Sequence, residues 1–516
     1  MCFKGIMLNS CSKQLKAYGF YLWVFFSVPV ILLIVGNGTL LAQEVQTGRR
    51  PNVLFIAVDD LRPDLGCYGV TKINSPHIDR LAQKGMVFQN AYCQSAICGP
   101  SRASVLSGLR PNLSGVNDLF SSVRTLNPDI VTLPQLFKQH GYQAVSLGKI
   151  YHNNAQSRDP QSWSEKEWSP RAGVGRGYLL HHNQELAQKA ANGVAAPYEM
   201  AEVHDTAYGD GKIAQRAIEW LSANKHKPFF LAVGFDKPHL PFNAPKKYWD
   251  LYRPDQITLP DEVLSAVVNN GIDKSLPKFP DFSNAWGELA QYEGIDKNKP
   301  VPPDMARMLK WGYYACISYI DAQVGLLLNA LQRFGLHENT IVVLWGDHGY
   351  KLGEYGSWAK HTNLEIDTRA PLIMFTPGMK ATGKQSHHLV EFIDIYPTLA
   401  ELGQLPLPAH LQGKSFASIL NNESLSHKPE AFSQFTDWNK TFCGYSVRTP
   451  EYRYTVWYSI KGDDSGKVIG KELYNLKQDA NGRRNIAGDK KQRKQERKLH
   501  EIIIKENRLE KYVGRA

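Results

Sequence analysis

The 516-residue chain is expected to fold as an α/β protein: one large, mostly parallel sheet flanked by helices, followed by a smaller C-terminal α+β subdomain. Two observations lead there. Continuous apolar runs of strand length recur between residues 52 and 375, separated by stretches with helical spacing, as in a parallel sheet covered on both faces. Past about residue 430 the pattern changes to short alternating runs with turns between them, which suits a small antiparallel sheet.

The N-terminal end stands apart. Lys4, Lys13 and Lys16 precede an apolar run from Phe20 to Val35, and Leu40-Leu41-Ala42 follows. This is the layout of a secretory signal peptide over residues 1–42, and it predicts a secreted or periplasmic protein. If the segment stays uncleaved, its apolar run is near the length that spans a bilayer and would anchor the protein to the membrane. The run does not end in a cysteine, so a lipoprotein site is not supported.

Residues 50–429 read as the catalytic domain. The first strand, Asn52–Val58, is apolar throughout and ends at Asp59-Asp60, two carboxylates that are costly together unless a cation pairs them. A helix start follows at Ser75-Pro76. At Cys98-Gly99-Pro100-Ser101-Arg102 a cysteine stands at the mouth of a second helix, which Gly108 and Pro111 end. The unpaired N–H groups there favour anions, and Arg102 lies one turn further in. A second strand, Tyr142–Leu147, leads to Lys149 and His152; residues 153–202 read as a polar surface excursion. A helix over Ile213–Leu221 and a third strand, Pro228–Phe235, precede His239, which has prolines close on both sides. Residues 254–303, rich in Pro, Asn and Asp, read as a long insertion over the active-site face. A long helix over Met305–Phe334 leads to a fourth strand, Thr340–Trp345, which ends at Asp347-His348. Ser357-Trp358-Ala359-Lys360-His361, a fifth strand at Pro371–Phe375 and a closing segment over Val390–Leu402 complete the domain.

Residues 430–516 form the C-terminal subdomain. Tyr445–Thr449 and Tyr452–Trp457 read as a hairpin, Glu472–Leu476 as a further strand, and Lys490–Tyr512 as a charged amphipathic helix.

Position turns this inventory into a site. Asp59-Asp60, Lys149/His152, His239 and Asp347-His348 each follow an apolar strand, and the functional crevice of an open α/β sheet lies outside the carboxyl ends of its strands. The carboxylates are hard oxygen donors suited to Ca²⁺ or Mg²⁺, and His348 adds one nitrogen. Lys149, His152, His239, Lys360 and Arg102 supply positive charge and proton donors for a tetrahedral anion.

The stretch Cys98 to Gly108 also resembles the sulfatase signature C-x-P-S-R-x-x-x-[LM]-[ST]-G-R, with Leu109 in place of the final Arg and Arg110 one residue later. The likeness runs over nearly the whole chain after the signal segment. It is strongest to the iduronate-2-sulfatase branch, through Gly148–His152, Lys237–Phe242, Trp358–His361 and Tyr445–Trp457. It implies an alkaline phosphatase-like fold and a sulfuric ester hydrolase acting on a sulfated oligo- or polysaccharide. By the same likeness, Asp59, Asp60, Asp347, His348 and residue 98 bind one Ca²⁺, with Mg²⁺ the lesser choice. A maturase enzyme would convert Cys98 to formylglycine, whose hydrate attacks sulfur. Arg102 would steady that group, Lys149, His152 and Lys360 would hold the sulfate or move protons, and His239 would protonate the leaving sugar oxygen. Tyr350 stands where the branch's lysosomal enzyme carries a Trp near its sugar, and residues 254–303 diverge, so the particular sugar stays open.

The formal charge of +11 falls to about +8 without the three signal lysines, which suits a polyanionic substrate; no nucleic-acid motif accompanies it. Of the seven cysteines, Cys67, Cys93, Cys98, Cys316 and Cys443 lie beyond the signal segment, an odd set without a disulfide pattern. Aromatic residues of the insertion, Phe279, Phe282, Trp286 and Tyr292, are candidates to stack on sugar faces. Two alternatives stay open: a phosphonate or phosphodiester hydrolase on the same scaffold, and a secreted glycan-binding protein without turnover.

Overall fold

The computed structural model describes residues 50–516 except 171, 172, 174, 262, 264–286, 297 and 510–516. The signal segment, Phe279, Phe282 and Trp286 therefore lie outside the described residues. Strands in chain order are β1 (Asn52–Val58), β2 (Met86–Tyr92), β3 (Gln143–Gly148), β4 (Tyr198–Ala201), β5 (Phe229–Phe235), β6 (Phe242–Pro245), β7 (Thr340–Gly346), β8 (Lys351–Leu352), β9 (Trp358–Ala359), β10 (Leu372–Phe375) and β11 (Lys384–Glu391). The C-terminal part adds β12 (Ala431–Thr436), β13 (Phe442–Arg448), β14 (Tyr452–Ser459) and β15 (Val468–Asn475).

Seven strands form the main sheet in the order β11-β2-β10-β7-β1-β5-β3. Neighbours pair in parallel except β10, which is antiparallel to both β2 and β7. The sheet is thus mixed, with one reversed strand. Two strands that carry no clear signal in the sequence, β2 and β11, pair in parallel and form one edge. β11 is polar at its start and has a register shift between Ser386 and Leu389, so its apolar alternation is broken.

β1 shows why the runs are apolar throughout. Leu54, Ile56 and Val58 enter the core on one face, and Val53, Phe55 and Ala57 enter the core on the other. The first core packs against the helices Pro303–Arg333 and Gly209–Asn224, the second against Cys98–Ser107, Leu133–Gln139 and Ile395–Leu402. Each fully buried large aliphatic or aromatic side chain contributes about 1.5–3 kcal/mol through this burial.

The register aligns the strand ends. Val58 lies opposite Phe235 on one side and Gly346 on the other, and Gly148 lies opposite Gly234. Asp59, Lys149 and Asp347 therefore leave the sheet at one edge. Gly148 has φ 81°, and a methyl group there would lie 2.1 Å from the Gly234 carbonyl oxygen, so only glycine lets β3 and β5 approach this closely.

The excursion at 153–202 is less irregular than its composition suggests, since it holds the helix His181–Lys189 and β4, which pairs in parallel with β6. In the C-terminal subdomain β12-β13-β14-β15 form an antiparallel sheet, one strand more than expected, covered by the helix Arg493–Asn507. All five cysteines of the described residues are free.

Candidate active site

The helix Cys98–Ser107 is buried along its whole length, serines and Arg102 included. Gly99 lets it sit tight: a methyl group there would meet the Asp118 carbonyl oxygen at 2.7 Å. Cys98 is its first residue, so its side chain lies beside the helix's free N–H groups. Burial and then Asp59 push the Cys98 thiol well above its ordinary range, with Lys149 and Lys360 opposing. The unmodified residue is a neutral thiol rather than a thiolate nucleophile.

Arg102 organises the acids. Its Nε donates to Asp347 Oδ2 at 2.9 Å and its second terminal nitrogen to Asp59 Oδ1 at 3.1 Å. The other terminal nitrogen donates to the carbonyls of Lys149 and Ile150. One fully buried guanidinium thus ties together the ends of β1, β3 and β7. Lys149 Nζ donates to Asp59 Oδ2, and Lys360 Nζ lies 2.8 Å from both oxygens of Asp60. Burial alone would raise Asp59, but Lys149 and Arg102 outweigh it and hold this carboxyl well below the usual range. At Asp347 burial wins, and its pKa is raised. Asp60 adopts φ 59°, and its N–H donates to Asp347 Oδ1 at 3.0 Å.

The donors for a cation meet here. His348 Nδ1 lies 2.9 Å from the Gly349 carbonyl, which fixes a proton on Nδ1 and leaves the Nε2 lone pair facing inward. Nε2 lies 3.3 Å from Cys98 Sγ, 3.4 Å from Asp60 Oδ1 and 3.6 Å from Asp347 Oδ1. The last two separations exceed a good hydrogen bond, and both sides present lone pairs. A cation between them satisfies all three groups, so the residues present fit a metal. The charge argument drawn from the sequence needs revision: Arg102, Lys149 and Lys360 already pair the three aspartates. Donor chemistry, not uncompensated charge, is what fits the ion.

Above these groups opens a cavity of about 1100 Å³, lined among others by Cys98, Lys149, His152, His239, Glu288 and Lys360. His152 Nδ1 is buried without a hydrogen-bond partner; burial, then Lys149, pushes this imidazole down to about 3, so it is neutral. His239, between two cis prolyl bonds, directs Nδ1 at the Leu240 carbonyl at 2.6 Å and Nε2 at Glu288 Oε1 at 3.0 Å.

The structure therefore brings all ten sequence-predicted residues to one place. Arg102, Asp59, Asp60, Asp347 and His348 form a buried floor, and Cys98, Lys149, His152, His239 and Lys360 face the cavity. The stacking role expected of Tyr292 fails. Tyr292 is buried, and Tyr350 stacks on Tyr313 beneath Lys360 at 1 % exposure, so neither offers a face to a sugar. Sequence reasoning missed Glu288, an acid in a segment without periodicity, and gave no role to His361, which lines the cavity beside Lys360.

A buried floor of cation donors at the carboxyl edge of such a sheet, beneath a cavity lined by lysines and histidines and beside a cysteine at a helix N-terminus, defines a hydrolase of the alkaline phosphatase-like superfamily. Residues 51–405 match the Sulfatase family model, and residues 353–509 match the one described as N-sulphoglucosamine sulphohydrolase, C-terminal. The chain belongs to the sulfatase family, and it is an enzyme that hydrolyses sulfate esters. It is 34% identical to iduronate 2-sulfatase of Mus musculus over 485 residues, covering 79% of this chain and 84% of the relative. Among solved structures it resembles a 2-O GAG sulfatase (TM-score 0.65, 25% identity, 89% of this chain and 93% of that one). A phosphonate monoester hydrolase from Silicibacter pomeroyi shares the fold (TM-score 0.70, 21% identity, 88% and 94%).

Proposed function

We propose that the enzyme removes sulfate from a sulfated sugar of the iduronate-2-sulfate type, using residue 98 as formylglycine and one bound divalent cation, Ca²⁺ before Mg²⁺. The observation that carries this is the meeting of Cys98, the four-residue donor set and two buried lysines at the base of a cavity large enough for a saccharide. The family generally uses a metal and a cysteine-derived formylglycine, and the likeness to iduronate 2-sulfatase supports the sugar class.

Asp59, Asp60, Asp347 and His348 would hold the cation, together with the oxygen that replaces Cys98 Sγ. The cation supplies positive charge to the sulfate oxygens and the aldehyde hydrate supplies the nucleophilic oxygen. The chain's own residues do the rest. Arg102 keeps Asp59 and Asp347 in register. Lys149 and Lys360 bind sulfate oxygens as charge leaves sulfur, each already steered by an aspartate. His152, held neutral by burial and Lys149, meets the sulfate as an uncharged hydrogen-bonding ring. His239 gives its Nε2 proton to the leaving sugar oxygen. Arg158 and Arg176, on the cavity wall, suit further anionic groups of a glycan. The leader-like pattern of residues 1–42 supports an exported enzyme that meets its substrate outside the cytoplasm, and maturation would need a formylglycine-forming partner.

The test is sulfate release, read by ion chromatography, from a panel of sulfated uronate and hexosamine oligosaccharides, with 4-nitrophenyl sulfate and a phenylphosphonate ester alongside. The account expects a sugar sulfate to have the highest kcat/KM. Preference for the phosphonate ester would favour the other hydrolase class on this fold, and glycan binding without release would favour a dead site.

A further inference from the structure

We infer that Glu288 is a positioning residue for His239: its carboxylate fixes the ring's Nε2 at the cavity, so that the general acid is aimed before the substrate arrives. This rests on the reading of His239 as the proton donor to the leaving oxygen.

Two acceptors hold the ring. Nδ1 lies 2.6 Å from the Leu240 carbonyl oxygen and Nε2 lies 3.0 Å from Glu288 Oε1. Both contacts are at hydrogen-bond distance, and a carbonyl can only accept. The carbonyl orients Nδ1, and Glu288 orients Nε2, provided that it is ionised. Lys360 ensures that, with Nζ 2.9 Å from Glu288 Oε2. Although burial opposes it, the charges of Lys360 and His239 keep the Glu288 carboxyl well below its usual range. Both side chains are partly buried in the cavity wall, at 16 % and 14 % exposure.

Glu288 also stands where a substrate must go. It bridges His239 and Lys360, two groups that face the cavity beside residue 98. When the ester enters, its bridging oxygen takes the Nε2–H from Glu288 Oε1. As the S–O bond breaks, its electron pair stays on the sugar oxygen and the Nε2 proton moves to it. The ring is left neutral, with Nδ1–H still on the Leu240 carbonyl, and regains its proton from water.

The experiment separates proton donation from other roles by leaving group. A sugar alkoxide needs a proton to depart, whereas 4-nitrophenolate leaves without one. Wild type, Glu288→Gln, Glu288→Asp and His239→Gln are compared on a sugar sulfate and on 4-nitrophenyl sulfate, each with its unfolding midpoint measured. General acid catalysis contributes about 10²–10⁴-fold, so Glu288→Gln is expected to lower the sugar-to-aryl ratio of kcat/KM by roughly 10–100-fold. Glu288→Asp is expected to recover part of that ratio. Equal losses on both substrates, or no loss on either, would overturn the proposal, because Glu288 would then serve only Lys360 or packing. If His239→Gln itself leaves the ratio unchanged, the assignment of His239 as the acid fails instead, which the Glu288 variants alone would not show.

Discussion

At the scale of single residues, Arg102 and residue 98 divide the work between scaffold and chemistry. Arg102 has no water contact and holds two aspartates and two carbonyls from three strand ends. Arg102→Lys keeps the charge but cannot span both carboxylates. Breaking such a buried pair costs about 3–5 kcal/mol, so this variant should unfold at distinctly lower denaturant as well as lose activity. Cys98→Ala should do the reverse, abolishing turnover while leaving the unfolding midpoint within about 1 kcal/mol, since it removes one small buried side chain. Circular dichroism melts beside sulfate release distinguish the two patterns. Most of these residues were legible in the sequence because each follows an apolar strand or opens a helix with a distinctive cysteine. Glu288 was not, because an acid among Pro, Asn and Gly carries no local pattern; only the approach of His239 and Lys360 gives it meaning. Tyr292 misled for the same reason: its place in the insertion says nothing of which way its ring turns, and it is buried.

At the scale of elements, strands that are apolar throughout declared themselves, even β3 at the sheet's edge, and β2 and β11, whose runs are broken by polar residues, did not. β1, β3, β5 and β7 are apolar runs found within a residue or two of their expected bounds. β11 begins Lys384-Gln385-Ser386-His387-His388, exposes much of that half and changes register in the middle, so alternation never develops. The reversal of β10 is invisible in composition, because an apolar run buried between β2 and β7 reads alike in either direction. In the C-terminal sheet, β15 carries a testable consequence. Glu472 is buried there, and burial raises its pKa to about 8 against an opposing contribution from Trp457. A carboxyl raised in the folded state favours folding fully below its unfolded value near 4.5, and that contribution is lost as pH rises through about 8. The unfolding midpoint should therefore decline between pH 5 and pH 8 in part through this group. Glu472→Gln should flatten that decline; an unchanged slope would remove Glu472 from the account.

At the scale of the whole molecule, the sheet brings four separate strand ends to one edge, and the chain carries a net positive charge. Two expectations follow. Removing divalent ions with a chelator should abolish turnover and lower the unfolding midpoint. Restored Ca²⁺ at 100 times its dissociation constant should stabilise the fold by about 2.7 kcal/mol, with Mg²⁺ giving less at equal concentration. An Asp347→Asn variant should lose this calcium response. Raised salt should lower kcat/KM for a multiply sulfated oligosaccharide, through screening of long-range attraction, while barely altering 4-nitrophenyl sulfate. The claim on which the rest depends is that residue 98 works as an aldehyde and not as a thiol. The most direct measurement is the mass of the peptide carrying residue 98, isolated from protein that is releasing sulfate. The account predicts a peptide that has lost sulfur and gained an aldehyde oxygen, in a fraction that rises with specific activity. A fully active preparation in which that peptide carries only an unmodified thiol would contradict it.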